Sequence, residues 1–283
     1  MKKDVAIFLI VTAGFLAGCS SQSPLLSYVT NRNGSMEIVF YDMESGNEWL
    51  GIERAGDESY PAFNKDQSKF LFLDEGEERK IQVIRPSGQS RILSVPVSQT
   101  ATDPFWYPNG DFGYVDKEEV HRVTFAYGGD EIAFISPYPP IRLFCTQDEQ
   151  TIMASFLVEG KYQVGAYSLE REEYTSLIVS EAQLILSDYS ESMGKLLYTE
   201  FSKSGNRIMA YDLESKAVTP LIDDDFRNES GIFDGEEGAI IFQSDRDHAD
   251  TEIRNYEIYR WDGTFKKYER LTDNEAGDYF PVN

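Results

Sequence analysis

The 283-residue sequence has very little cysteine and histidine, and few positive charges. Two cysteines cannot build a disulfide-rich scaffold, and two histidines exclude a His-rich metal centre. The 26 Lys and Arg residues stand against 49 Asp and Glu residues, which gives a formal net charge of -23. Because such a surface repels phosphate groups, the composition argues against a nucleic-acid or an anionic-lipid partner.

Several sequence motifs of enzymes are also missing. There is no Gly-x-Ser-x-Gly elbow, no P-loop and no dinucleotide-binding fingerprint. With only two histidines, few bases could activate a Ser or Cys nucleophile. We therefore expect no enzyme activity, no catalytic residues and no cofactor. The 18 Phe, 17 Tyr and 3 Trp residues suffice for a sizeable core, in one large domain or two small ones.

The first residues have the pattern of an export signal. Lys2 and Lys3 precede an apolar run over residues 5–17, which is too short for a membrane span. The run ends in Leu-Ala-Gly-Cys at residues 16–19, which resembles the bacterial lipobox. That resemblance implies that the thiol of Cys19 is lipidated; the alternative is an ordinary cleaved signal with an incidental cysteine. We expect a signal peptide over 1–18, a lipidated cysteine and tether over 19–24, and a folded domain over 25–283.

Two expectations follow from a lipidated Cys19. The residue after it, Ser20, resembles an outer-membrane sorting signal, so we expect a lipid-anchored protein of the bacterial cell envelope, in the outer membrane and either on its periplasmic side or at the cell surface. The tether to Pro24 reaches at most ~18 Å when fully extended, which keeps the domain close to the bilayer. Acylation also leaves Cys145 as the one remaining cysteine, which excludes a disulfide.

The rest of the chain repeats with a period of roughly 40–50 residues, which indicates a β-propeller. Short β-rich runs alternate with Gly, Asn and Asp turns, such as Asn33-Gly34 and Asp262-Gly263. The same phase recurs six times, at Pro61, Pro104, Leu143, Leu186, Gly231 and Pro281. The fragment 26–29 and the C-terminal fragment 280–282 together complete one unit. The sequence therefore predicts an all-β, six-bladed propeller of four-stranded blades, closed by exchange of its terminal strands.

Two kinds of segment resemble the TolB-type or PD40 propeller repeat. They are residues 242–247 (FQSDRD) with 256–259, and the turn segments 60–66 (YPAFNKD) and 104–110 (PFWYPNG). The resemblance covers about residues 25–283 and implies a six-bladed propeller that binds other envelope proteins. TolB itself has an N-terminal α/β domain, and some relatives carry a hydrolase domain. We expect neither of these domains here.

The histidines and acidic residues are the first candidates for chemistry. We expect His121 to be structural or at the surface of a strand. His248 lies in the acidic segment from Asp245 to Glu252, which is either a Ca²⁺-binding loop or a solvated turn. We interpret residues 223–225 (DDD) as a solvated loop between blades. The dipeptide Asp245-Arg246 is interpreted as an ion pair that locks its turn.

The remaining candidates are apolar. Cys145 has apolar neighbours and is expected to be a buried small hydrophobe rather than a reactive thiol. The run Phe105-Trp106-Tyr107 either packs between blades or stacks on a sugar or peptide. Residues 138–140 (YPP) form a loop that could face a partner.

The sequence thus predicts a non-enzymatic, membrane-anchored lipoprotein of the envelope whose propeller binds a protein or an extended peptide. The binding surface would be one face or the mouth of the central channel, and an acidic face would favour a basic partner. The alternative is a propeller that binds a glycan or, with Ca²⁺, another small ligand. A hydrolase or lyase is a third possibility, against which the two separated histidines argue.

Overall fold

A computed structural model describes residues 24–51, 56–87, 90–235, 238–248 and 255–283. The predicted signal peptide and Cys19 lie outside these residues. Within them the secondary structure consists of strands and turns. None of the described residues forms a helix with the length and hydrophobicity needed to cross a bilayer.

The described residues form 24 strands in six antiparallel four-stranded sheets, which we number as blades 1 to 6. The first three strands belong to blade 1: β1 (Leu25–Thr30), β2 (Glu37–Asp42) and β3 (Glu48–Leu50). Blade 2 contains β4 (Glu58–Phe63), β5 (Phe70–Asp74), β6 (Lys80–Arg85) and β7 (Ser90–Pro96). Blade 3 contains β8 (Ala101–Trp106), β9 (Phe112–Asp116), β10 (Glu119–Thr124) and β11 (Gly129–Ile135).

The second half of the chain continues the same order. Blade 4 contains β12 (Pro140–Cys145), β13 (Thr151–Val158), β14 (Lys161–Ser168) and β15 (Glu173–Ser180). Blade 5 contains β16 (Leu184–Ser190), β17 (Lys195–Phe201), β18 (Asn206–Asp212) and β19 (Val218–Ile222). Blade 6 contains β20 (Asn228–Phe233), β21 (Ala239–Ser244), β22 (Glu257–Asp262) and β23 (Lys267–Arg270). The last strand, β24 (Asp278–Val282), returns to blade 1.

Burial along the strands follows their position in the blade. All residues of β5 and β21 are buried, because both faces of a second strand pack against neighbouring blades. In the outermost strand β15, by contrast, every residue is exposed or half-buried. Between blades 1 and 2 the rings of Phe40 and Phe70 meet edge to face, with centroids 4.8 Å apart. Each such fully buried side chain contributes roughly 1.5–3 kcal/mol to folding.

The ring closes through the two ends of the folded domain. Strand β24 pairs antiparallel with β1, where Val29 faces Tyr279, and the order in blade 1 is β24-β1-β2-β3. Strand β24 also contacts β4 of blade 2 and β20 of blade 6. The predicted six blades and the predicted exchange of terminal strands are therefore confirmed.

The first strand of each blade lies next to the channel. Strands β4, β8, β12, β16, β20 and β24 each contact the next one around the ring. They contain the six positions that mark the phase of the repeat in the sequence. Four of them also hold a residue with left-handed backbone, at Tyr60, Asp103, Ser230 and Phe280, with φ of 52°, 47°, 54° and 52°. A β-bulge interrupts the pairing of each strand at this point.

The antiparallel order gives the propeller two different faces. At one end of the channel lie the turns that follow the innermost strands and those that follow the third strands; we call this end the turn face. At the other end lie the connections between blades and the turns that follow the second strands; we call this the loop face. Pro24 lies on the turn face, since its carbonyl accepts a hydrogen bond from the N–H of Met43, in the turn after β2, at 3.1 Å.

Candidate functional site at the channel mouth

Two adjoining cavities open at the turn-face end of the channel. The inner one has a volume of about 200 Å³ and the outer one about 770 Å³. Both are lined by Gln147, Tyr189 and Glu191, so the two volumes meet there. The larger volume falls within the ~300–1,000 Å³ typical of ligand pockets, and the mouth of a propeller is where such a site is expected. We call this pair of cavities the channel mouth.

The inner cavity combines aromatic walls with a few charges. Phe63 and Phe144 come from the ends of β4 and β12, and Tyr189 comes from β16. The guanidinium of Arg142 lies 5.7 Å from the centre of the Phe144 ring. Flat aromatic surfaces beside a small number of fixed polar groups can bind the side chains and main chain of a peptide.

One ion pair crosses from blade 3 to blade 4 inside the channel. Arg142 Nη1 lies 2.9 Å from Asp103 Oδ1, and the N–H of Leu143 donates a hydrogen bond of 2.7 Å to Asp103 Oδ2. Asp103 is almost fully buried, and burial raises the pKa of its carboxyl, while Arg142 and the Leu143 N–H oppose that rise. A carboxylate in this position depends on its guanidinium partner.

A second carboxyl, that of Asp188, lies in blade 5. Its Oδ2 accepts a hydrogen bond of 2.8 Å from the N–H of Phe233 in blade 6, and its Oδ1 accepts one of 2.7 Å from the N–H of Tyr189. Burial raises the pKa of Asp188 to about 6, against the effect of these hydrogen bonds and of Arg142. The charge at the channel mouth therefore changes in a mildly acidic range.

Other blades are also joined by a hydrogen bond from the main-chain N–H of an innermost strand to a side chain of the neighbouring blade. An innermost strand has a sheet neighbour on one side only, so some of its N–H groups need acceptors elsewhere. Ser155 Oγ accepts from Leu186 N–H at 3.2 Å, and Gln243 Oε1 accepts from Phe280 N–H at 2.7 Å. These contacts fix the channel-lining strands relative to one another, which makes the mouth a rigid frame.

A chain of side chains crosses the mouth between non-adjacent blades. Lys65, in the turn after β4, donates a hydrogen bond of 3.1 Å to Gln147 Oε1 in the turn after β12. The N–H of Gln147 in turn donates to Glu191 Oε2 at 2.8 Å. All three residues are exposed. These three residues, which we call the Lys65 strap, all line the outer cavity, and two of them, Gln147 and Glu191, also line the inner one.

The aromatic run at residues 105–107 belongs mainly to the core. Phe105 and Tyr107 are buried with ring centroids 5.0 Å apart, and Trp106 donates from Nε1 to the carbonyl of Ala62 at 3.1 Å. The expectation of packing between blades is confirmed. Phe105 and Trp106 also line the inner cavity with one edge.

Cys145 lines the inner cavity too and is half-buried. Burial raises the pKa of its thiol to about 12, and nearby Glu149 acts in the same direction. The thiol is therefore neutral at physiological pH and a poor nucleophile, as the sequence predicts. Tyr138 packs its ring against Tyr174, with centroids 5.9 Å apart, so of the predicted 138–140 loop it is Pro139 that is exposed.

His121 lies on β10, as predicted, and in a polar cluster of blade 3. Its Nδ1 is 3.0 Å from Asp130 Oδ1 and 3.1 Å from the hydroxyl of Tyr114, on whose ring it stacks. Tyr114 donates to Asp130 Oδ2 at 2.7 Å. The cluster joins three strands of one blade away from the channel mouth, which fits a structural role.

The acidic segments near blade 6 make contacts beyond those that the sequence interpretation named. Arg246 pairs with Asp224 at 3.4 Å and lies 3.7 Å from the centre of the Tyr268 ring, while Asp245 Oδ1 accepts from the N–H of Arg227 at 2.9 Å. Both members of the Asp245-Arg246 dipeptide thus have partners outside it. Asp224 is not simply solvated, because it also accepts a hydrogen bond of 2.6 Å from Asn228 Nδ2. It joins the interblade loop to the Arg246 turn.

The predicted Ca²⁺ loop is only partly described. His248 donates from its N–H to the carbonyl of Asp245 at 2.8 Å, and its Nε2 lies 3.6 Å from Glu257 Oε1. Residues 249–254 lie outside the described residues, so the choice between Ca²⁺ loop and solvated turn stays a prediction. Among the described residues, no three or more His, Cys, Asp and Glu side chains are grouped so that they could hold a metal ion.

Sequence reasoning missed two of the charged residues that line the channel mouth, Arg142 and Asp188. Both stand one or two positions from a phase mark of the repeat, in innermost strands without a proline at that mark. The sequence did contain one signal for these two residues: each is a charged residue close to the position that marks the repeat phase, in a part of the chain where the repeat is weak.

Comparison with known proteins identifies the fold. No family model and no curated protein matches the sequence. TolB from Acinetobacter baumannii superposes with a TM-score of 0.77 at 13% identity, over 93% of this chain and 67% of that one. A candidate TolB from Agrobacterium tumefaciens gives 0.68 at 13% identity, over 90% and 91%.

An oligogalacturonate lyase in complex with manganese gives a TM-score of 0.55 at 12% identity, over 89% of this chain and 74% of that one. At such identities the similarity establishes the fold alone. The predicted resemblance to TolB-type propellers is confirmed at that level: the chain folds as a six-bladed propeller of the kind seen in TolB.

Proposed function

We propose that this protein is a non-enzymatic lipoprotein of the bacterial envelope, anchored through Cys19, whose propeller binds a protein or extended peptide at the channel mouth. The observation that carries the proposal is the pair of adjoining cavities at the turn-face end of the channel. The similarity to TolB supports an envelope role by analogy of fold. The lipobox-like residues 16–19 support the anchor.

The shape of the channel mouth favours a chain segment over a flat protein surface. The outer cavity is wide, and it narrows to an inner cavity whose walls include Phe63, Phe144 and Tyr189. One aromatic or aliphatic side chain of a peptide can fill the inner cavity while its main chain crosses the Lys65 strap. The carboxylate of Glu191 at the rim favours a segment that carries positive charge.

A photocrosslinking amino acid in intact cells tests this function. We would place it at Gln147, which lines both cavities and is exposed, and at Val218 on the outer strand β19 as the matched control. We expect one dominant crosslinked envelope protein from position 147, none from position 218, and loss of the product in a Cys19→Ala form. Equal products from the two positions, or none from either, would contradict binding at the mouth.

The small volume of the inner cavity supports a second candidate, a small ligand such as a glycan, with or without Ca²⁺. A cavity of about 200 Å³ suits a small molecule better than a peptide main chain. A ligand that binds only the folded state raises the melting temperature. Thermal unfolding with Ca²⁺ against chelator, and with envelope glycans, would show such a shift; its absence leaves the peptide as the ligand.

A further inference from the structure

The structure also bears on how an anchored propeller would stand on its membrane. We propose that the turn face is the side that lies against the lipid bilayer, and that the turn carrying Phe265 contacts the headgroup layer. This orientation rests on the proposed lipid attachment at Cys19. The partner surface is a phospholipid bilayer, recognised through exposed aromatic rings and lysines.

The first observation is where the tether leaves the domain. Besides the hydrogen bond from Met43 to its carbonyl, Pro24 is fixed through Leu25, whose N–H donates to Gln67 Oε1 and whose carbonyl accepts from Gln67 Nε2, both at 3.0 Å. The residues of β1 that follow are all buried. The covalent path from Cys19 therefore meets the domain on the turn face, beside the outer cavity that Pro24 lines.

The second observation is the short reach of that path. The five residues from Ser20 to Pro24 span at most ~18 Å. A blade strand of six to eight residues is itself about 20–26 Å long, and the loops add to it. With the loop face against the bilayer, Pro24 would stand farther from the lipid than the tether can reach, so that orientation is excluded.

The third observation is independent of the tether. Phe265 and Tyr127, with exposed fractions of 79% and 77%, are the two most exposed large apolar side chains of the described residues. Both lie in turns between a third and an outermost strand, at 263–266 and 125–128, and hence on the turn face. Exposed aromatic rings on one face of a folded domain are typical of a surface that contacts the membrane interface.

The turn around Phe265 is also held rigid and carries two lysines. Asp262 Oδ1 accepts hydrogen bonds from the N–H groups of Thr264 and Phe265, at 2.8 and 3.1 Å. Exposed Lys266 and Lys267 follow directly. In a chain of net charge -23, this lysine pair balances the flanking acids Asp262 and Glu269, so the aromatic tip can approach anionic headgroups without net repulsion from its own turn. Blade 6, which carries this turn, adjoins blade 1, which carries the tether.

The orientation has a consequence for the channel mouth. Because the cavities open on the turn face, a segment that enters them comes from the layer next to the bilayer. Its source would be a protein attached to the same membrane.

Site-specific labelling on vesicles tests the orientation. A polarity-sensitive fluorophore would be attached at Phe265→Cys, and in a second protein at Lys203→Cys, in the exposed loop-face turn after β17, both in a Cys145→Ser background. The acylated proteins would be bound to phosphatidylethanolamine–phosphatidylglycerol vesicles with and without a lipid-soluble quencher. We expect a blue shift and at least twofold stronger quenching at position 265 than at position 203.

Each other outcome is decisive. Equal quenching at the two positions, or stronger quenching at 203, would overturn the orientation while the protein still sediments with the vesicles. If mass spectrometry finds no acyl group on Cys19, the anchor of the proposed function fails, and the orientation fails with it. A flexible insertion of ~20 residues before Pro24 serves as the control, since it should reduce the contrast between the two positions if the short tether imposes it.

Discussion

The six innermost strands of the propeller are of two kinds. Strands β4, β8, β20 and β24 each bend through a residue with left-handed backbone, followed by proline or glycine. Strands β12 and β16 bend through a bulge at Ile141 and Ser187, neither of which has a positive φ. The first kind repeats a visible motif, Tyr60-Pro61, Asp103-Pro104 or Phe280-Pro281. The second kind supplies the charged residues Arg142 and Asp188.

The difference lies in how the strand bends and not in which strands carry charge, since Asp103 of the first kind is the partner of Arg142 in the channel. A left-handed residue costs roughly 1–2 kcal/mol, which is tolerated because it bends the strand at the narrowest part of the propeller. The two strands without this motif have side chains there that pair across blades, with Asp103 in one case and with the N–H of Phe233 in the other. The next three predictions break or sharpen this contrast.

The largest effect is expected from Arg142→Met, which keeps much of the aliphatic stem and removes the guanidinium. Asp103 then stays buried with one hydrogen bond and no counter-charge. Removal of one partner of a buried pair costs about 3–5 kcal/mol; since Arg142 is partly exposed to the channel, we expect a loss of about 3 kcal/mol in the free energy of unfolding. Urea denaturation monitored by circular dichroism measures it.

The control for this prediction is the double variant Asp103→Asn with Arg142→Met. Asparagine can still accept from the Leu143 N–H but leaves no buried charge, so the double variant should be more stable than Arg142→Met alone. Additive losses, or a loss below about 1 kcal/mol for Arg142→Met, would show that the pair does not hold blades 3 and 4 together.

A smaller and pH-dependent effect is expected from Asp188→Asn. The pKa of Asp188 is raised from 3.8 to about 6, so the folded state binds its proton more tightly than the unfolded state does. This stabilisation is fully present below pH 3.8 and is lost as the pH rises through 6. At 1.36 kcal/mol per pKa unit the upper limit is about 3 kcal/mol.

The measurement compares the free energy of unfolding of the wild type with that of Asp188→Asn at each pH. Between pH 7 and pH 4, the free energy of unfolding of the wild type should rise relative to that of Asp188→Asn by about 2 kcal/mol, while other carboxyls titrate alike in both. Parallel curves over this range would mean that Asp188 titrates normally and is well solvated.

The same contrast explains which parts of the molecule the sequence could predict. Proline and glycine after a bend occur at a fixed phase, so the number of blades and their closure could be predicted from Pro61, Pro104, Gly231 and Pro281. Arg142 and Asp188 stand where the repeat is weakest, and their role depends on partners about 40 residues away along the chain. No local pattern contains such a pairing. The Arg246 interaction with Asp224 was missed for the same reason, since a nearer acid, Asp245, was available.

The smallest effect concerns the bends themselves and compares Ser230, with φ of 54°, with Ser187. At Ser230 the glycine variant should be more stable than the alanine variant by about 1 kcal/mol, because only alanine keeps the Cβ that the left-handed region disfavours. At Ser187 the alanine variant should be more stable than the glycine variant by roughly 0.5–1 kcal/mol. Glycine relieves no backbone strain there, and it increases the conformational freedom of the unfolded chain.

The comparison of Gly with Ala at each position removes the effect of losing the serine hydroxyl, which both variants share. Urea denaturation of the four single variants therefore measures the backbone alone. If the order of Gly and Ala is the same at both positions, the two kinds of innermost strand do not differ in backbone strain. If it reverses, the strand bends with left-handed strain in blade 6 and without it in blade 5, where the channel charge Asp188 stands.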